Sequence, residues 1–209
     1  MNILIFGASG NTGRELVKQA LTNGHRVTAF IRTTGKLTIS DEKLKIIEGN
    51  VKDYDTVKNA IHNQEAVLST LGVSKQLNSD PLVIEGVKNI VKAMEILNTT
   101  RLIYLSFLAV GEGRNDAGFI LKNIVSRIVK EEIEDHEEKE RLISSSKLEY
   151  TIVKPPKLTN GIKKGVYRIG ETIKAKSILP TMSRADVADF MLKQLTDTAF
   201  FRKAVRIMY

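Results

Sequence analysis

The chain reads as an α/β protein built on a doubly wound parallel sheet, and two observations predict this. Short apolar runs alternate with stretches of helical periodicity along most of its length. A glycine-rich turn, Gly7-Ala8-Ser9-Gly10-Asn11-Thr12-Gly13, joins the first apolar run to the first helical stretch. Strand–helix–strand repeats imply right-handed crossovers, which predict the strand order 3-2-1-4-5-6 with a short C-terminal strand added. In that order the ligand crevice opens at the carboxyl ends of strands one and four.

The elements follow in sequence. Residues 2–6 form strand one. Residues 13–22 form a helix with Leu16, Val17, Ala20 and Leu21 on one face, stopped by Asn23-Gly24. Strand two is 25–31 and strand three 44–48. A short helix over 53–61 is capped by Asp53. Strand four is 66–70, and a long helix over 81–97 carries an inward stripe of Val83, Val87, Ile90, Val91, Met94 and Leu97. Strand five is 101–106, a helix covers about 134–145, and strand six is 148–154. After Pro155-Pro156 the pattern loosens: a short strand is expected at 165–169, a helix at 183–195 and a last strand at 205–209. This predicts a single domain over 1–209, with a small substrate-side region formed by about 108–130 and 155–182.

Composition narrows the functional classes. At 209 residues the chain can bury a large core, and 42% hydrophobic with 27% charged residues is ordinary for a globular protein. The absence of cysteine excludes disulfides and thiolate metal sites, and the three histidines have no metal-ligand spacing, so no metal is expected. No apolar run approaches the ~18 residues of a membrane span. The chain begins on a strand, so no signal peptide is expected and a cytoplasmic location is the simplest expectation. The net charge of +8 comes from scattered residues without interleaved aromatics, which suits an anionic cofactor better than nucleic acid.

The glycine turn is the first chemical signal. Gly7 permits a tight turn, Gly10 lets backbone approach a phosphate and Gly13 lets the helix pack on the sheet. The helix N-terminus offers N–H groups and partial positive charge to a pyrophosphate, and Ser9, Asn11 and Thr12 can add donors. NAD-binding domains place an acid at the end of strand two to hold the ribose 2′-hydroxyl. Here stands Arg32, followed by Thr33, Thr34 and Lys36, with no acid in the sequence before Asp41. A cation there favours a 2′-phosphate and so NADP(H), unless Arg32 is simply a surface residue. Asn50, beside Val51, can donate to and accept from an adenine edge. Leu71-Gly72 follows strand four at the crevice. Ser106 ends strand five where a nicotinamide belongs, with Phe107 and Leu108 as an apolar wall; it is either a functional hydroxyl or a strand-end serine.

Tyr150-Thr151-Ile152-Val153-Lys154 spells a Tyr-x-x-x-Lys motif. That pair works on a helix, where the two side chains lie about 6 Å apart. The apolar flanks and following prolines say strand, and four residues of strand span ~13 Å, so no shared proton-transfer site is expected. His136 lies in an acidic run and is either on a solvated helix face or points into the crevice, where an ordinary pKa near 6.5 would suit proton work. Leu121, Ile124, Val125, Ile128 and Val129 make an apolar face that serves core, pocket wall or interface. The oligomeric state is not readable.

Together these segments resemble the atypical short-chain dehydrogenase/reductase group of NmrA-like NAD(P)-binding proteins, most of all its biliverdin reductase B, or flavin reductase, branch. The likeness spans nearly the whole chain, from Ile5–Gly13 and Val27–Arg32 through Glu48-Gly49-Asn50-Val51 and Asp135-His136 to Tyr150–Pro156 and Ser183–Leu192. It implies an NADP(H) site made by Gly7, Ser9, Gly10, Thr12, Arg32, Lys36, Asn50, Val51, Leu71, Gly72, Ser106, His136 and, after the prolines, Lys157 and Leu158. Asn50 replaces an acid of the family, and 108–130 differs most, which leaves the substrate least determined. The resemblance implies an NADPH-dependent reductase acting on a flavin, quinone or similar flat conjugated molecule, with Ser106 and His136 at the reacting end. The alternative is a non-enzymatic NADP(H) sensor that binds another protein. A nucleotide-sugar epimerase is not expected, because it needs a catalytic Tyr-Lys helix and usually a larger C-terminal substrate domain, and neither is expected here.

Overall fold

The computed structural model describes residues 1–72, 81–108, 110 and 127–209. Its main sheet has eight strands in the order β3-β2-β1-β4-β5-β6-β10-β8. These are β1 (Asn2–Phe6), β2 (Arg26–Ile31), β3 (Leu44–Glu48), β4 (Ala66–Ser69), β5 (Arg101–Leu105), β6 (Glu149–Lys154), β8 (Arg168–Gly170) and β10 (Lys203–Met208). All pairings are parallel except β8 with β10. The expected order 3-2-1-4-5-6 is therefore present, and the C-terminal strand extends it beside β6. The Rossmann-like crossover lies between β1 and β4. Two further strands, β7 (Lys157–Thr159) and β9 (Thr181–Ser183), form a small parallel sheet of their own.

Among the described residues five helices cover the sheet: α1 (Asn11–Thr22), α2 (Tyr54–Ile61), α3 (Pro81–Leu97), α4 (Arg127–Ser144) and α5 (Arg184–Lys193). Strand alternation sends Ile3 and Ile5 to one face, where Leu16, Val17 and Ala20 of α1 meet Val187 and Met191 of α5. Leu4 and Phe6 go to the other face, against Val57 and Ile61 of α2, Val87, Ile90 and Met94 of α3 and Ile143 of α4. Each such fully buried side chain contributes about 1.5–3 kcal/mol.

Local chemistry sets the ends. Asp53 caps α2, accepting from the Asp55 and Thr56 backbone N–H groups at 3.1 and 3.2 Å. Asp186, wholly buried under β9 and α5, accepts from Ser183 and Tyr209 hydroxyls and from the Lys164 and Gly165 backbone. Its burial opposes ionisation, but these donors outweigh it and hold the carboxyl below its usual pKa. They fasten the 157–170 segment to the sheet. At the opposite end of the molecule the buried Arg101 guanidinium binds the Gln194 and Glu149 carbonyls and the Thr151 hydroxyl, joining β5 to the end of α5. Most of 108–130, including Leu121, Ile124 and Val125 of the expected apolar face, lies outside the described residues.

Candidate cofactor and active site

The glycine turn has the shape a phosphate needs. Gly7 sits at φ +75°, and the Gly10 N–H closes the turn on the Gly7 carbonyl at 2.9 Å. A Cβ on Gly13 would lie 2.2 Å from that same carbonyl oxygen, so α1 approaches the turn only because residue 13 has no side chain. A Cβ on Gly7 would meet Thr70 at 2.8 Å. Thr70 donates its hydroxyl to the Phe6 and Gly7 carbonyls, both at 3.2 Å, and its N–H to Phe6 at 3.0 Å, stitching the end of β4 to the turn. The N-cap of α1 is Gly10, which brings no side-chain acceptor, and the first turn holds no acid. In contrast to α2, whose N-terminus Asp53 fills, α1 leaves its N–H groups and dipole to an outside anion. Ser9 and Asn11 border this opening, while Thr12 is buried with the helix.

Arg32 and Lys36, the residues expected at a 2′-phosphate, are exposed on the loop after β2. A third cation joins them: the Arg14 guanidinium reaches from α1 to the Lys36 carbonyl at 2.7 Å. An acid is also close. Glu48, at the end of β3, accepts from the Thr34 backbone N–H at 3.1 Å and from the Thr34 hydroxyl. The linear search for an acid after strand two misses it, because parallel pairing of Ile31 with Glu48 brings it in from the next strand. Both of its contacts pin the loop that carries the cations.

The Asn50 side-chain oxygen accepts from the Lys52 N–H at 3.1 Å, so a local turn already uses the acceptor expected to read adenine. Val51 is buried against Gly86, where a Cβ would meet its methyl at 2.5 Å. The Asn89 amide holds the Val51 and Lys52 carbonyls at 3.0 and 2.9 Å. Leu71 is half-buried, and a Cβ on the exposed Gly72 would meet nothing within 4 Å among the described residues. Lys157 and Leu158 lie in strand β7 rather than in a loop; Lys157 is exposed and Leu158 packs on the core.

Parallel pairing of Ser69 with Tyr104 puts Leu71 and Ser106 level, each just past its strand. Here the protein is built from buried charge. The Ser106 hydroxyl donates to Glu140 Oε1 at 2.6 Å, and Glu140 Oε2 pairs with Lys154 Nζ at 2.7 Å. Lys154 Nζ also donates to the Val110 carbonyl at 3.2 Å. His136 is buried one turn before Glu140 on α4, with its ring edge-on to Phe107 at 4.8 Å. Its Nδ1 is buried with no hydrogen-bond partner among the described residues. Burial first, then Lys139 and Lys154, push its pKa down to about 3, so the imidazole is neutral at pH 7. Of the two expectations for His136, the solvated face is overturned; the ring is turned inward, but burial and the two lysines lower its pKa from the ordinary value expected there. The buried Tyr104 hydroxyl likewise lacks a partner among the described residues, and burial with the Glu140 charge raises its pKa.

The Tyr150–Lys154 motif lies on strand β6, as its flanks predict. Tyr150 packs in the core at the amino end of the strand, whereas Lys154 closes the site at its carboxyl end. The strand keeps Tyr150 and Lys154 from sharing a proton-transfer site, as expected, and Lys154 pairs with Glu140 instead. Sequence reasoning missed Glu140, Lys139 and Arg14. A signal existed for α4: Ile133, His136, Lys139, Glu140 and Ile143 follow helical spacing, and all face inward.

With this geometry in place, the likeness to known proteins is informative. A family model described as NAD(P)H-binding matches residues 7–198, and the chain belongs to that family of NAD(P)-binding Rossmann proteins. Over its full length it is 23% identical to the photosystem II assembly factor Ycf39 of Synechocystis, covering 62% of that protein. The chain thus spans less than two thirds of the Ycf39 relatives it matches, 62% in Synechocystis and 65% in Guillardia theta. Its fold matches a wide-type short-chain dehydrogenase/reductase from Veillonella parvula solved in complex with NADP, with a TM-score of 0.82 and 22% identity over all of this chain and 94% of that one. It also matches ChuY, an anaerobillin reductase of Escherichia coli O157:H7, with a TM-score of 0.81 and 19% identity over 100% of this chain and 97% of that one.

Proposed function

We propose that this chain is an NADPH-dependent reductase that passes hydride to a flavin, quinone or similarly conjugated small molecule, in the manner of the biliverdin reductase B branch. The glycine turn and the open α1 N-terminus hold the pyrophosphate, with Ser9, Asn11 and Thr12 beside it. Arg32, Lys36 and Arg14 hold the 2′-phosphate. Asn50 and Val51 border the adenine, and Leu71, Gly72, Ser106, His136, Lys157 and Leu158 surround the nicotinamide half. Bound NADPH supplies the hydride.

One observation carries the choice of acceptor. Among the described residues, the nicotinamide end offers no strong acid: His136 is neutral, Ser106 gives its hydrogen to Glu140, and Tyr150 stands at the far end of β6. Conjugated acceptors suit such a site, because they delocalise the incoming electron pair and take their proton from solvent. The test is NADPH oxidation with FMN and a set of quinones. Turnover of at least one supports the reductase; tight NADPH binding with no turnover of any overturns it. The assembly-factor relatives favour a second reading, a cofactor-binding sensor that docks on a protein, for which affinities for NADPH and NADP+ would differ widely without turnover.

A further inference from the structure

Both hydrogens that Ser106 can donate are used inside the protein. Its backbone N–H goes to the Val153 carbonyl at 2.9 Å, and its hydroxyl goes to Glu140 Oε1 at 2.6 Å. The direction of the second bond is not arbitrary. A carboxylate has no hydrogen to give, and Glu140 is held as a carboxylate partner of Lys154 through its other oxygen at 2.7 Å. The short O···O distance suits a charge-assisted bond. Lys154 is fixed in turn by the Val110 carbonyl. What Ser106 has left is lone pairs, so it accepts and does not donate.

We propose that Glu140 and Lys154 are positioning residues that fix Ser106 as a hydrogen-bond acceptor for the N–H of the nicotinamide carboxamide. This rests on the placement of Ser106 beside the nicotinamide, and not on the reductase activity. The site then reads the amide from its N–H side. A cofactor bearing an acetyl group in place of the carboxamide presents only a carbonyl and a methyl there, and Ser106 has nothing to offer either.

The experiment compares binding of NADP+ and its 3-acetylpyridine analogue to the full chain by calorimetry, without any electron acceptor. Wild type is expected to bind NADP+ about tenfold more tightly, as a site built around one hydrogen bond does. Ser106→Ala brings the ratio to about one. Glu140→Gln also brings it towards one, because an amide can donate to Ser106 and turn the hydroxyl hydrogen outward. The double variant matches Ser106→Ala alone. A merely structural role for Glu140 would weaken both ligands equally and keep the wild-type ratio, and that result overturns the proposal. So does a wild-type ratio near one, which requires no variant to fold. Failure of every acceptor in the turnover assay leaves this ratio untouched, so the two ideas fail separately.

Discussion

The two ends of the candidate crevice are made in opposite ways. The phosphate end is backbone: three glycines, a helix terminus without a side-chain cap, and a threonine that ties two strands together. The nicotinamide end is side chain: a serine, a glutamate, a lysine and a neutral histidine drawn from β6, α4 and the end of β5. Backbone devices are written in contiguous residues and tolerate little change. Side-chain devices are assembled from distant segments and can be re-aimed without altering the turn.

The largest expected effect breaks the backbone end. Gly13→Ala puts a Cβ 2.2 Å from the Gly7 oxygen, and backbone on both sides cannot yield cheaply. It should destabilise the fold by about 3 kcal/mol and remove NADPH binding, as thermal melts and titration would report.

The next effect probes the nicotinamide end through pH. His136 has a folded-state pKa near 3 against 6.5 when unfolded. Below pH 6.5 the unfolded chain takes up a proton that the folded chain refuses. Stability present above 6.5 is therefore lost as the pH falls towards 3, by about 2 kcal/mol at pH 5. Urea unfolding of wild type and His136→Gln at pH 7 and 5 isolates this share, and an equal slope in both would place His136 in solvent.

Arg32→Asp sharpens the comparison at the adenosine end, where a charged side chain supplements the backbone cradle. It should weaken NADPH about tenfold more than NADH. Equal losses would remove Arg32 from the 2′-phosphate. The smallest effect on stability is expected for Gly72→Ala, where the added methyl meets nothing within 4 Å among the described residues. The melting temperature should stay within about 1 °C, while NADPH affinity falls if backbone at Gly72 lies against the cofactor.

This contrast also explains what was legible in the sequence. The run from β1 through the glycine turn into α1 is local, and each of its residues has a local reason, so the strand, turn and helix were readable in place. The sheet order to β6 followed from crossover handedness. An added C-terminal strand was expected as well; its place beside β6 and the pairing of β8 on its far edge were not, because a strand near the C-terminus gives no sign of which edge it joins. The short β7–β9 pair was hidden for the same reason. Arg32 and Lys36 were visible beside their strand, but Glu48 became their neighbour only through β2–β3 pairing. His136 was obscured by the acidic residues around it, which occupy the outer face of α4 while the histidine turns inward. Lys154 was hidden by the false motif it completes: the strand parts it from Tyr150, and its partner Glu140 comes from a separate helix.

Thr70 has a consequence for anyone reshaping this protein. One hydroxyl holds the carbonyls of Phe6 and Gly7, so the turn after β1 and the loop after β4 form a single jig. A graft that gives the crevice a new wall can begin at Leu71 and leave the phosphate cradle true. One that begins a residue earlier would loosen both halves of the cofactor's seat at once.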